Sequence, residues 1–216
     1  MFVGHYGVSF ATKKVDASIP LWTLFLAVQW LDVIWAPLVL LGIEKVRIVP
    51  GFTATNPLDL YYMPYTHSLV AALVWSAAAA GAYRLSSRAT ARTSLLVGLA
   101  VFSHWILDFV VHRPDLPLYD NTAKVGLGLW NHPALAFGLE ALLLFGGMVA
   151  FLRARPTHGI AIATFGVVML GVQAYVFFGP PPASPATAAS TALAAYGIFA
   201  LLIWFLADRR ASVRGN

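Results

Sequence analysis

His104, Asp108 and His112 stand at i, i+4 and i+8 in the stretch Val101–Asp115. On a helix this spacing stacks them along one face, drifting ~40° and rising ~6 Å per step. The residues between them are apolar: Trp105, Ile106, Leu107, Phe109, Val110 and Val111. Two imidazoles and a carboxylate therefore project from an apolar helix toward one place. A carboxylate there requires a cation, a proton or a hydrogen-bond donor. A His and an Asp one turn apart can hold one metal ion from a single rigid element. The structural alternative is a buried Asp–His hydrogen bond joining two helices.

The setting of these residues is a membrane. Of 216 residues, 59% are hydrophobic and 11% charged, with a mean hydropathy of +0.74; soluble domains carry about 25% charged residues. This composition predicts an all-α integral membrane protein forming one domain over residues 1–216. The absence of Cys excludes disulfides and any thiolate-based metal or haem site. The net charge of +5 reflects basic loops and a basic C-terminus, as membrane topology requires, and calls for no nucleic acid. The first 18 residues lack the pattern of a signal peptide.

Six spans are expected, at 19–43, 67–83, 93–112, 132–152, 159–178 and 187–206. Residues 1–12, carrying His5, are apolar but too short to cross a bilayer and read as a half-length helix. Asp32 lies in the middle of the first span, and Pro37 is expected to kink that span beside it by freeing the Val33 carbonyl. Unpaired backbone at that depth usually lines a cavity, although Asp32 also suits a simple helix–helix hydrogen bond. Segment 44–66 reads as a polar loop, and 113–131 is the next longest connection. The ionisable residues inside spans all fall within 1–152. The two spans in 159–208 contain none and read as scaffold.

Lys and Arg number ten on the side of residues 1–18, loops 84–92 and 153–158 and the C-terminal tail, against four on the other. The positive-inside rule then puts both termini in the cytoplasm. Helical rise places Asp32 ~20 Å, His104 ~17 Å, Asp108 ~23 Å and Glu140 ~18 Å from the cytoplasmic boundary, with His5 ~12 Å inside. These five share a depth range, with His67, His112 and His132 nearer the outer boundary.

Several His and carboxylates without thiolate suit Zn²⁺ first, with Mn²⁺ or Fe²⁺ as alternatives. Mixed sites of this type leave a position for water, which the ion activates as a nucleophile. Glu140, two turns inside its span, needs a partner: as a ligand, as an acceptor behind a ligand His, as general base, or as a protonated acid bonded to a neighbouring helix. Arg113, beyond His112, could hold a phosphate or serve as an interfacial anchor.

In order along the chain stand His5, Asp32, Thr66-His67-Ser68 and Ser103-His104-Trp-Ile-Leu-Asp108, followed by His112-Arg-Pro-Asp-Leu-Pro117 and Gly126-Leu-Gly-Leu-Trp-Asn131. Over roughly residues 1–145 this resembles the bacterial inner-membrane, LexA-regulated metal-dependent hydrolases. The resemblance implies His5, Asp32, His67, His104 and Asp108 as metal-site residues, and His112 joins them by its spacing. It also implies a bacterial plasma-membrane location and, through a remote likeness to zinc phospholipase C and P1-type nucleases, phosphoester hydrolysis. Two positions depart from the pattern: Asp32 is not part of an Asp-x-Asp pair, and His132 follows Asn131 in place of a small residue.

The expected activity is therefore metal-dependent hydrolysis of a phosphoester in a lipid or amphiphile that enters from the bilayer, with Glu140 and Arg113 as catalytic candidates. A homo-oligomer is compatible with the two scaffold spans. A proton or metal-ion transporter could use the same Asp/His/Glu array, and a haem protein could use paired His. A retinal protein is excluded because all four Lys (13, 14, 45 and 124) lie outside the spans.

Overall fold

The computed structural model describes residues 1–156 and 159–209. It is a helical bundle in chain order: α1 (His5–Val15), α2 (Leu21–Val28), α3 (Trp30–Leu40), β1 (Lys45–Ile48), β2 (Leu58–Tyr62), α4 (Leu69–Ser87), α5 (Ala91–Val111), α6 (Pro133–Ala154), α7 (Gly159–Phe178) and α8 (Pro185–Ile203). A π-helical turn, Trp204–Asp208, continues α8. Five helices, α4 to α8, are long and apolar enough to cross a membrane. The bent pair α2–α3 is long and apolar enough when taken together, and brings the number to six if it forms one broken span. Apolar side chains cover the flanks of these helices, as Leu73, Leu95, Leu142, Val167 and Leu201 do. That outward face is what a lipid solvent accepts.

The half-length helix expected over residues 1–12 is α1, and it lies inside the bundle: His5, Tyr6, Ser9 and Phe10 are fully buried. Its approach to α6 depends on glycine. A Cβ on Gly147 would overlap the Gly7 carbonyl, and one on Gly7 would overlap the Leu143 carbonyl. Small residues at such a crossing let two backbones touch. Asp208 accepts from the Leu21 and Trp22 amides at 3.0 and 2.9 Å, so the end of the last span caps the start of α2.

Two expectations are corrected. The first span does bend near Asp32, but by 53° at Gln29 and not through Pro37, which stays inside α3. Gln29 is fully buried, and its side-chain amide donates to the Phe2 carbonyl at 3.0 Å. The bend therefore forms where α1 enters the bundle. Segment 44–66 is not all loop: β1 and β2 pair antiparallel, with Ile48 opposite Leu58, and Arg47 forms an ion pair with Asp59.

The hairpin and segment 113–131 pack together at one end of the bundle. Leu116, Val46, Leu60 and Met63 share a small core with Trp35 and Ala189. The amides of Leu69 and Val70 bond the carbonyls of Pro117 and Leu118. Thr55 donates to the Trp130 carbonyl at 3.0 Å.

Candidate metal centre

Every side chain at the centre is presented by a helix end, a helix break or a helix face. His104 and Asp108 share one face of α5, as their spacing predicts. The break at Gln29 leaves Val28 as the last residue of α2, and its carbonyl lies 2.7 Å from His104 Nδ1. A carbonyl only accepts, so Nδ1 carries a proton, and in the neutral ring Nε2 presents its lone pair. The same break makes Trp30 the first residue of α3 and puts Asp32 in that helix's first turn, where the helix dipole favours an anion. His67 precedes α4 by two residues, and Ser68 caps that helix by accepting from the Ala71 amide. Trp105 on α5 donates to the His67 carbonyl at 2.9 Å. His112 ends α5, and its Nδ1 lies 2.8 Å from Asp115 Oδ1.

The remaining donor atoms converge on the two carboxylates. Asp108 Oδ2 lies 3.1 Å from His104 Nε2, 3.6 Å from His112 Nε2 and 3.8 Å from His67 Nε2. Its other oxygen, Oδ1, faces His5 Nε2 at 3.2 Å and the Met1 amino group at 2.5 Å. Asp32 Oδ1 lies 3.2 Å from His67 Nε2 and 3.7 Å from His104 Nε2. Two groups of three meet the spacing of a metal site, His5–His104–Asp108 and Asp32–His67–His104, with their ligand atoms within 4.8 Å of one another. His104 has a single free nitrogen, so the two groups cannot each hold an ion through it.

The donor set fits a divalent cation. His5 Nδ1, His5 Nε2 and His104 Nε2 are buried without a hydrogen-bond partner. His104 Nε2 faces a carboxylate oxygen at 3.1 Å, a contact that either a proton or a metal cation between the two satisfies. Donors ~2.1 Å from a tetrahedral ion stand ~3.4 Å apart, and the observed separations lie on either side of that value. Three of the histidines have Nδ1 held by a carbonyl, a hydroxyl or a carboxylate, the support that ligand imidazoles almost always have.

Of the predicted site residues, the structure brings His5, Asp32, His67, His104, Asp108 and His112 together. Glu140 is fully buried beside them, but its carboxylate accepts from the Phe2 amide at 3.1 Å, the Gly4 amide at 2.8 Å and Gln173 Nε2 at 3.2 Å. It caps the start of α1 and so sets the position of His5. Arg113 is exposed and lies outside both groups, its guanidinium 4.4 Å from the centre of the Phe52 ring. His132 is exposed at the start of α6.

Four residues of this network carry no role in the sequence reading. Tyr196 on α8 donates to Asp32 Oδ2 at 2.6 Å, and Gln173 on α7 bonds Glu140, so the two last spans also supply polar groups to the centre. A search limited to charged residues and His passes over both, although each is a polar residue in the middle of an apolar run. Asp115 supports His112. Glu44 is nearly fully buried and accepts from the Tyr65 amide at 2.8 Å, the Thr66 amide at 3.0 Å and the Thr66 hydroxyl at 2.6 Å. Burial raises the Glu44 carboxyl from its ordinary value, while His67 and the Thr66 and Tyr65 donors pull it back down.

The centre is thus a buried group of His and Asp inside a bundle of membrane-span-like helices, able to hold a metal ion. Comparison of the chain with family models, curated proteins and solved structures finds no match.

Proposed function

We propose that this protein is a membrane-embedded metal-dependent hydrolase, with Zn²⁺ as the first candidate ion and a phosphoester of a lipid or amphiphile as substrate. The observation that carries the reading is the convergence of four His Nε2 atoms on the two carboxylates of Asp32 and Asp108, three of those rings being anchored through Nδ1. A divalent ion held there supplies Lewis acidity toward a phosphoryl oxygen and lowers the pKa of a nearby water.

The chain's own residues do the rest. Asp32 and Asp108 place negative charge where a cation is wanted. The Val28 carbonyl and the Asp115 carboxylate face Nδ1 of His104 and His112 and leave Nε2 of each ring turned to the centre. Tyr196 orients Asp32 through one oxygen and leaves the other to the centre. Glu140 keeps His5 in place by capping α1. Arg113 stands one residue beyond His112 on the exposed side, where it can meet an anionic headgroup. The phosphoester and lipid assignments rest on the resemblance to LexA-regulated hydrolases and on this arginine.

A transporter is the second reading, and the broken α2–α3 span favours it. Discontinuous helices with a carbonyl exposed at the break are how many transporters build ion sites. Elemental analysis of the purified protein, followed by hydrolysis assays on phospholipid and soluble phosphodiesters with and without chelator, separates the two. Hydrolysis lost on chelation and restored by Zn²⁺ is expected. Metal flux into proteoliposomes with no hydrolysis would replace the hydrolase by the transporter.

A further inference from the structure

Glu44 lies outside every helix, two residues after the left-handed Gly42 that follows α3. It is 1% exposed. A carboxylate is rarely buried without partners, and the three donors to Glu44 all come from Tyr65 and Thr66, immediately before His67. The Thr66 hydroxyl spends its proton on Glu44 Oε2. Its oxygen also lies 2.7 Å from His67 Nδ1 and has only lone pairs left to offer that ring. Nδ1 must then carry a proton, and in the neutral ring Nε2 faces Asp32 Oδ1 at 3.2 Å as a lone pair.

We infer that Glu44 and Thr66 are positioning residues that hold His67 in its Nδ1–H form, through a carboxylate–hydroxyl–imidazole chain running from the start of the hairpin into the centre. The function of this chain rests on the reading of His67 as a metal ligand; its effect on the ring does not. His104 and His112 are each held by one direct acceptor, a carbonyl and a carboxylate. His67 alone precedes its helix, where no helix face fixes its ring, and it is held through an intervening hydroxyl. The arrangement ties the ligand to the loop that covers one end of the bundle. Supports of this kind typically change metal affinity 10–100-fold.

The test uses the full chain in detergent micelles with ¹⁵N-labelled histidine. In metal-free wild type, the His67 nitrogen shifts should report one dominant form with the proton on Nδ1. Thr66→Val keeps the side-chain volume and leaves Glu44 its two backbone donors, so it removes the chain while disturbing packing little. It should mix the two ring forms and weaken Zn²⁺ binding by about tenfold or more. Thr66→Ser should restore both readouts, and Glu44→Ala should act as Thr66→Val does. A merely structural role would lower thermal stability without moving the ring form. An Nε2–H form in wild type, or an unchanged ring form in Thr66→Val, would overturn the inference. If wild type binds no Zn²⁺ but shows the predicted ring shifts, the metal-centre reading fails and the positioning chain stands.

Discussion

The imidazoles of His5 on α1 and His104 on α5 lie face to face, their centres 4.1 Å apart and their planes within 5° of parallel. Both rings are fully buried, and no free nitrogen of either has a hydrogen-bond partner. Asp108 lies within reach of both, through Oδ1 to His5 and Oδ2 to His104. A half-length helix and a spanning helix thus present the two faces of one centre, with a single carboxylate between them.

Metal binding should follow these contacts. His104→Ala and Asp108→Asn should each remove most of the bound metal, because His104 belongs to both candidate groups and Asp108 reaches all four convergent histidines. His5→Ala should lower the affinity less, since it leaves Asp108 three of its four histidines. Elemental analysis of protein purified in detergent, with circular dichroism to verify the helices, checks this. Full occupancy in the first two variants would sink the assignment.

Tyr196→Phe removes one hydroxyl from α8 and leaves the Asp32 Oδ2 atom without its donor. A hydrogen bond to a charged group contributes about 1.5–3 kcal/mol, part of which should appear as weaker metal binding of roughly tenfold. Isothermal titration with Zn²⁺ measures it. Equal affinity in Tyr196→Phe and wild type would leave α8 with a packing role only.

Glu140→Gln tests whether this carboxylate anchors α1. The glutamine keeps one acceptor oxygen but loses the charge that two amides and Gln173 share. We expect a stability loss of about 1–3 kcal/mol, with partial loss of metal through displacement of His5. Thermal unfolding in detergent and metal content are read together. If hydrolysis is abolished while stability and metal content are both unchanged, Glu140 acts in the chemistry itself, as a general base would.

Sidedness is testable because the chain has no Cys. The hairpin and segment 113–131 pack at one end of the bundle, so Ala54→Cys and Thr122→Cys, both at exposed positions, should share one labelling behaviour. Ser86→Cys, at the end of α4, should show the other. If the basic loops face the cytoplasm, an impermeant thiol reagent on intact cells labels 54 and 122 and spares 86. The reverse pattern would invert the orientation.

The sequence by itself determined the spans and the main donors. Apolar runs of about 20 residues have few options other than a helix when water is excluded, so the six expected spans and the half-helix are read from the placement of the apolar runs, and five of the six are unbroken helices. The i, i+4 spacing likewise obliges His104 and Asp108 to share a face. The tertiary structure decided what completes the centre. The Val28 carbonyl that fixes His104 lies 76 positions away in the chain, and it is available because the helix breaks at Gln29, where the buried amide meets Phe2. Pro37 is the conspicuous local signal for a bend, yet α3 runs through it. Tyr196 is 164 positions from Asp32, and Glu140 is 136 from the Gly4 amide it caps. Contacts between residues that far apart depend on how the helices pack against one another, and the local pattern of any one span carries no record of that.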